Sequence, residues 1–295
     1  MSEADPCRKL SELERRVKVR VRFALSGEKA SRFRGLGTEF YGHKKYEYGD
    51  DSRHIDWAAS LRTGALTKAE LQVKTFAQEV GVPCFIVLDA SRSMGYEAGK
   101  RRLSILAAAT VAYFAAQMRD NITLVLVSEK TRVVSASGRR GVYRVLREVC
   151  SCRFDGEVTA EMVLRAVRAA VKRRGHTYMI SDFIFRDLEK LHAVVEYIRS
   201  LGGSYLTLVQ VLEKWEEELP EVGYVALADP ETGEVSVVDA SSRRARERLR
   251  EAISTVQRSL ESMRAAGCSY IRFLGEGSVE ELILDYLMAR RWLSK

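Results

Sequence analysis

FIVLDASRSMG, residues 85 to 95, runs from an apolar stretch into Asp89, followed by Ser91 and Ser93 at a spacing of two. One carboxylate and two small hydroxyls on a turning backbone can aim three oxygens at one point. Hard divalent cations such as Mg2+ take oxygen donors of this kind and keep several waters. The same three residues would also serve as an ordinary turn and helix cap, satisfying free amides before the next helix. Two more segments bear on that choice. Asp182 ends the apolar run TYMIS, and Thr159 stands in DGEVT ahead of a helical pattern. Acids and hydroxyls from three segments thus fall where open parallel sheets bind ligands, at the carboxyl ends of strands.

Other chemistries lack their residues. DASRSMG has one glycine, placed too late for a dinucleotide turn, and neither GxxxxGK[ST] nor GxSxG occurs. An aspartyl-phosphate phosphatase needs a second acid two residues after the first, where this chain has Ser91. No histidine or lysine stands at these motifs as a general acid or base. Binding rather than catalysis is therefore expected, with no catalytic residue assigned. A metal-dependent phosphohydrolase at the same site is the alternative.

The elements that must position these residues follow from periodicity. Strand-like runs at 85–89, 122–128, 177–182, 204–212 and 269–275 alternate with helical runs near 100–118, 141–149, 159–173, 187–200, 241–266 and the C-terminal VEELILDYLMARRWL. A short TRVVS strand follows the second run. Continuous apolar strands in βα alternation predict a doubly wound, mostly parallel α/β sheet with helices on both faces. PEVGYVALADPETGEVSVVDA, 220–240, breaks the alternation and predicts a β-hairpin insertion around its Pro and Gly. Upstream, residues 8–16 suggest a short charged helix. VKVRVRF, 17–23, alternates perfectly and predicts a strand with Lys18, Arg20 and Arg22 on its wet face, either as a charge-protected edge or as an anion-binding strip. LTKAELQVKTF, 66–76, predicts a second strand. The chain thus divides into a β-rich N-terminal segment, 1–79, and an α/β domain, 80–295.

The net charge of +8 suits an acidic partner or a plain solvated surface. Five scattered cysteines argue against a disulfide framework and for a reducing compartment. Cys150 and Cys152 lack a second Cys/His pair that would make a zinc site. The N-terminal sixteen residues contain no apolar signal region. The longest apolar stretch, LSILAAATVAYFAAQM, is too short to span a membrane and carries Ser104, Thr110, Tyr113 and Gln117, so a core helix is expected. The expectation is a soluble, cytoplasmic protein. Its single asparagine and abundant charges resemble thermophile usage.

At DxSxS the chain resembles a von Willebrand factor A domain, whose metal-ion-dependent adhesion site (MIDAS) uses that loop, a later Thr and a later Asp. The matching residues are Asp89, Ser91, Ser93, Thr159 and Asp182. YEYGDDSRHIDWAASLRTGALTKAELQ, 46–72, and ELPEVGYVALADPETGE, 218–234, resemble signatures of domain-of-unknown-function family 58, and the resemblance spans roughly residues 30 to 290. It implies a von Willebrand factor A-like, Rossmann-like fold. It also implies a divalent cation, Mg2+ first with Mn2+ or Ca2+ as alternatives, and a protein partner whose acidic side chain completes the ion's shell. Genes of this family often neighbour those of MoxR-type AAA+ ATPases, which implies an adaptor or co-chaperone. In GDDSRHIDW, the residues Asp50, Asp51, Arg53 and Asp56 are expected to form a buried ion-pair clasp with Trp57 in the core, with a partner-binding surface as the alternative. Tyr41, Tyr46 and Tyr48 interleave with His43, Lys44 and Lys45 as in a base-stacking surface. No nucleic-acid motif accompanies them, so a nucleic-acid partner is not expected, and nucleic-acid binding through the basic surface stands only as a further alternative.

Overall fold

A computed structural model describes residues 40–48, 50–62, 71–76, 81–96, 98–213, 223–228, 235–239 and 241–293, together with positions 7, 15, 17–19 and 216. The chain divides into two compact units, Ser26–Val80 and a larger one formed by Met1–Leu25 with Gly81–Lys295. In this division the first 25 residues group with the larger unit.

In the smaller unit, β1 (Phe40–Lys45) pairs antiparallel with β2 (Gln72–Phe76), and helix α1 (Trp57–Arg62) lies between them in sequence. Asp56 starts α1 by accepting the Ala59 amide, and it also holds His43 at 3.0 Å and Lys74 at 3.5 Å. Asp50 takes Lys44, and Asp51 takes Arg53. The ion pairs of GDDSRHIDW exist, but they lie at the surface, and Trp57 is 61% exposed rather than in a core. Each acid here found a nearby base or backbone amide, so burial was unnecessary. The strand expected at 17–23 is also corrected in part, because Val17, Lys18 and Val19 are helical. Residues 20–23 and 66–70 lie outside the described residues.

The larger unit is built on β3 (Pro83–Asp89), β4 (Asn121–Val127), β5 (Arg132–Ser137), β6 (His176–Ser181) and β7 (Tyr205–Val211), closed by β10 (Ser269–Phe273). A separate hairpin pairs β8 (Tyr224–Ala228) with β9 (Val235–Asp239), as the Pro/Gly turn signal predicts. The sheet order is β10-β7-β6-β3-β4-β5, parallel except for the edge strand β5. Central strands read as unbroken apolar runs because both faces are covered. Phe85 and Val87 of β3 pack with α5 (Ala160–Ala170), α6 (Leu191–Ser200) and α7 (Arg243–Ala265), through residues such as Val163, Val194 and Leu260. By strand alternation Ile86 and Leu88 face the opposite layer. That layer holds α3 (Ala98–Gln117), α4 (Gly138–Ser151) and α8 (Val279–Leu293). LSILAAATVAYFAAQM is the body of α3 and is buried from Leu103 to Ala115, as a helix apolar on all sides must be. Among the described residues no helix is long and apolar enough to cross a membrane.

One cysteine expectation fails. Cys7 and Cys150 form a disulfide across 143 positions of sequence, while Cys84, Cys152 and Cys268 are buried thiols. A pairing over such a separation depends on the fold and leaves no local sequence signal.

At the amino end of β6, His176 is buried and contacts Thr207 Oγ1 at 3.1 Å, and Thr207 donates to Asp285 of α8. Burial holds the imidazole well below its ordinary value of 6.5. The unfolded chain therefore takes up a proton as pH falls through that value, while the folded protein does not. The neutral histidine's contribution is complete above 6.5 and is lost below it, at up to about 1.4 kcal/mol per pH unit. Other groups titrate in the same range, so the check is a difference. Any stability advantage of wild type over His176→Gln should shrink or reverse between pH 7.5 and pH 5 in thermal melts. A gap independent of pH would rule this account out.

Candidate metal centre

β3 is the first strand of the parallel sheet, and the chain lays β4 on one side of it and β6 on the other. The crevice between the carboxyl ends of β3 and β6 is therefore the topological switch point, the place where open sheets bind ligands. Asp89 is the last residue of β3, and Asp182 follows the last residue of β6. The fold thus brings together two acids that lie 93 positions apart.

Both carboxylates are buried. Asp89 accepts the Ser91 amide at 2.8 Å on Oδ1 and the Ser181 hydroxyl at 2.6 Å on Oδ2. Burial, with the charge of Asp182 added, pushes the Asp89 carboxyl up to about 7. Asp182 Oδ1 accepts the Ile184 amide at 3.1 Å. The Ser91 and Ser93 hydroxyls stand 3.0 Å apart, so both can face one point. Ser93 lies in the short helix α2 (Arg92–Tyr96). The loop before α5 closes over the same strand end: Asp155 donates its amide to Ala90 O, and Arg92 donates its amide to Gly156 O. Gly95 permits that closure. A Cβ there would stand 2.2 Å from Phe154 Cβ and 3.1 Å from Phe154 O, so any side chain would push the two loops apart.

Thr159 lies three residues beyond Gly156 and is the N-cap of α5, its Oγ1 accepting the Met162 amide at 3.2 Å. Asp187 adds to that cap by accepting the Ala160 and Glu161 amides. The described contacts unite Asp89, Ser91, Ser93 and Asp182 around one crevice and give Thr159 a capping role at the start of α5. Phe183, next to Asp182, has φ of 60°, a strained backbone for a bulky buried residue. Its amide is held by Ser181 Oγ at 2.9 Å. Such strain concentrates at functional sites, where the surroundings fix it.

Sequence reasoning placed Ser181 at the strand end without giving it a role, and it missed Lys100 and Glu216. Ser181 links the two strand ends by donating to Asp89. Lys100, in the first turn of α3, donates to Asp182 Oδ2 at 3.0 Å and meets Glu216 Oε1 at 2.6 Å. Lys100 therefore stands beside the motifs although the sequence shows no lysine next to them. Burial works against its ammonium, but Asp182 and Glu216 outweigh burial and hold it above its ordinary value. It is thus a held cation and a poor general base. A signal did exist: a lysine in a helix's first turn opposes the helix dipole and calls for an acid nearby.

A model of the family described as "Protein of unknown function DUF58" matches residues 42–259. The chain belongs to this family. An uncharacterized protein of Mycobacterium tuberculosis (strain ATCC 25618 / H37Rv) is 27% identical to this DUF58 chain over 236 residues, covering 77% of it and 71% of the relative. Among solved structures, an aerotolerance-related membrane protein from Bacteroides fragilis shares 15% identity at a TM-score of 0.42, covering 70% of this chain and 99% of that one. The vWF domain of the type V pili tip protein Mfa5 from Porphyromonas gingivalis shares 11% identity at a TM-score of 0.30, covering 70% and 87%. The fold assignment rests on the strand order itself, which is the doubly wound, mostly parallel arrangement that the family resemblance implies.

Proposed function

We propose that this DUF58 chain is a metal-dependent protein-interaction module, an adaptor or co-chaperone for a MoxR-type AAA+ ATPase. Supporting this is the meeting of Asp89, Ser91, Ser93 and Asp182 at the switch point of the sheet. The donors are all oxygens, which suits Mg2+ and, less selectively, Mn2+ or Ca2+. Charge supports it too. Among the described contacts Asp182 and Glu216 share the Lys100 ammonium, and Asp89 adds a third buried carboxylate beside Asp182, so these three carry two negative charges beyond that cation when all are ionised, the number a divalent ion offsets.

In this reading Asp89, Ser91 and Ser93 would hold the ion, and Asp182 would act on it only through water, with Thr159 as the remaining member of the set that the resemblance implies. The bound ion supplies positive charge that can receive a carboxylate from a partner. Asp89 and Ser181 lock the strand ends, and Gly95 lets the 153–157 loop pack against them. No group here is assigned to chemistry, since Lys100 is held as an ammonium by two acids. An ATP-driven partner places the encounter in the cytoplasm, where a reducing pool would act on the Cys7–Cys150 disulfide.

The test uses a purified MoxR-type AAA+ ATPase on a biosensor surface. Wild type should bind in Mg2+ and dissociate in EDTA, and Asp89→Ala should not bind in either. Binding indifferent to both EDTA and Asp89→Ala would sink the metal-dependent reading.

A further inference from the structure

Lys100 is 5% exposed, and both of its carboxylate partners are buried as well. Burying an ammonium is costly and is tolerated only with close, well-placed counter-charges. Its place in the first turn of α3 adds the unfavourable end of the helix dipole. The chain compensates from two directions. Asp182 comes from the end of β6. Glu216 comes from the turn after β7, where it accepts the Glu213 amide at 2.8 Å and donates its own amide to Glu213 O at 3.0 Å. That turn lies directly against the start of α3: a Cβ added at Gly99 would overlap the Glu213 carboxylate. Lys100 is therefore not a solvated surface lysine that happens to reach an acid. It is seated between two buried acids.

We propose that Lys100 is the resident cation of this site: its ammonium, rather than a divalent ion, is the direct partner of Asp182. The divalent ion is then held on the Asp89, Ser91 and Ser93 side alone, a consequence that rests on the function proposed above. Asp182 has one oxygen on the Ile184 amide and the other on Lys100, so its orientation is fixed before any ion arrives. A fixed positive charge beside the crevice lowers the site's affinity for a divalent ion. It makes ion and partner binding reversible without letting the strand ends move apart. Lys100 thus sets the strength and selectivity of the site without itself being an ion ligand.

The experiment uses the full chain and Lys100→Met, which keeps the stem and removes the charge. In EDTA, Lys100→Met should melt below wild type, and adding Asp182→Asn should recover most of the loss, because the stranded carboxylate is then neutral. By titration calorimetry, Lys100→Met should bind Mg2+ or Mn2+ at least about tenfold more tightly than wild type. If Lys100→Met does not fold, recovery of folding in Lys100→Met/Asp182→Asn is the same coupling in stronger form. Absence of recovery in the double variant overturns the proposal, as does ion affinity that is unchanged or weaker in a folded Lys100→Met. Coupling with no ion bound by either protein refutes the metal-dependent function and leaves Lys100 as the only cation of the site, in support of the proposal.

Discussion

In ion-free buffer at pH 8, Asp89→Asn should melt several degrees above the wild-type protein and should gain nothing when Mg2+ is added, whereas wild type should gain. Burial and the charge of Asp182 raise the Asp89 carboxyl from 3.8 to about 7, so at pH 8 the folded state carries a charge it disfavours. A shift of that size corresponds to at most about 4 kcal/mol, at about 1.4 kcal/mol per unit. The lost charge-assisted bonds from the Ser91 amide and the Ser181 hydroxyl reduce the gain. With about 2–4 °C per kcal/mol for a unit of this size, several degrees remain. The sign follows from linkage. A folded-state value above the unfolded one disfavours folding at pH values above it, and the penalty fades as pH drops toward 3.8. The advantage of Asn should therefore be full at pH 8 and small at pH 5. Melts of both proteins at the two pH values, with and without Mg2+, decide it. A variant that melts below wild type at pH 8 would show that another charge already compensates Asp89.

Asp120→Ala should lower stability by about 3–5 kcal/mol, the usual effect of stranding one partner of a buried ion pair. Asp120 lies at the amino end of β4, on the opposite edge of the sheet from the metal centre. It accepts Arg290 Nη1 at 2.7 Å, the Tyr286 hydroxyl at 2.7 Å and the Val82 amide at 2.8 Å. Both Asp120 and Arg290 are buried. Without the carboxylate, the guanidinium loses its counter-charge and two other donors lose their acceptor. The double variant Asp120→Ala/Arg290→Met should be more stable than Asp120→Ala, because no charge is left buried alone. Urea melts of the three proteins test this. If the Mg2+ response of the folded variants survives, the pair is purely structural. A double variant no better than the single would mean that Arg290 is satisfied elsewhere, for example by Met118 O, which its Nη1 also reaches at 2.8 Å.

The parallel sheet, the hairpin around DPETGE and the core helix at 103–118 were all legible in the sequence, because each is a local pattern of apolar spacing and turn residues. So was the placement of Asp89 and Asp182 at the carboxyl edge, since the ends of apolar strands reveal which residues reach it. The alternation in VKVRVRF was no better a pattern than these, yet Val17–Val19 are helical, because periodicity reports only a preference that tertiary contacts can override. Trp57 also shows the limit: a large apolar residue suggests a core, but exposure is decided by what packs against it.

What the chain alone determined, then, was which residues stand at strand ends and the oxygen chemistry they share. Only the tertiary structure decided how their charges are balanced. Lys100, Glu216 and Asp182 come from a helix start, a turn and a strand end far apart in sequence, and Cys7 and Cys150 are likewise joined only by the fold. Electrostatic and covalent partnerships of this kind depend on distance in space and on burial. No local pattern of residue types encodes either, so the cation seated beside Asp182 became visible only once the sheet and its helices were assembled.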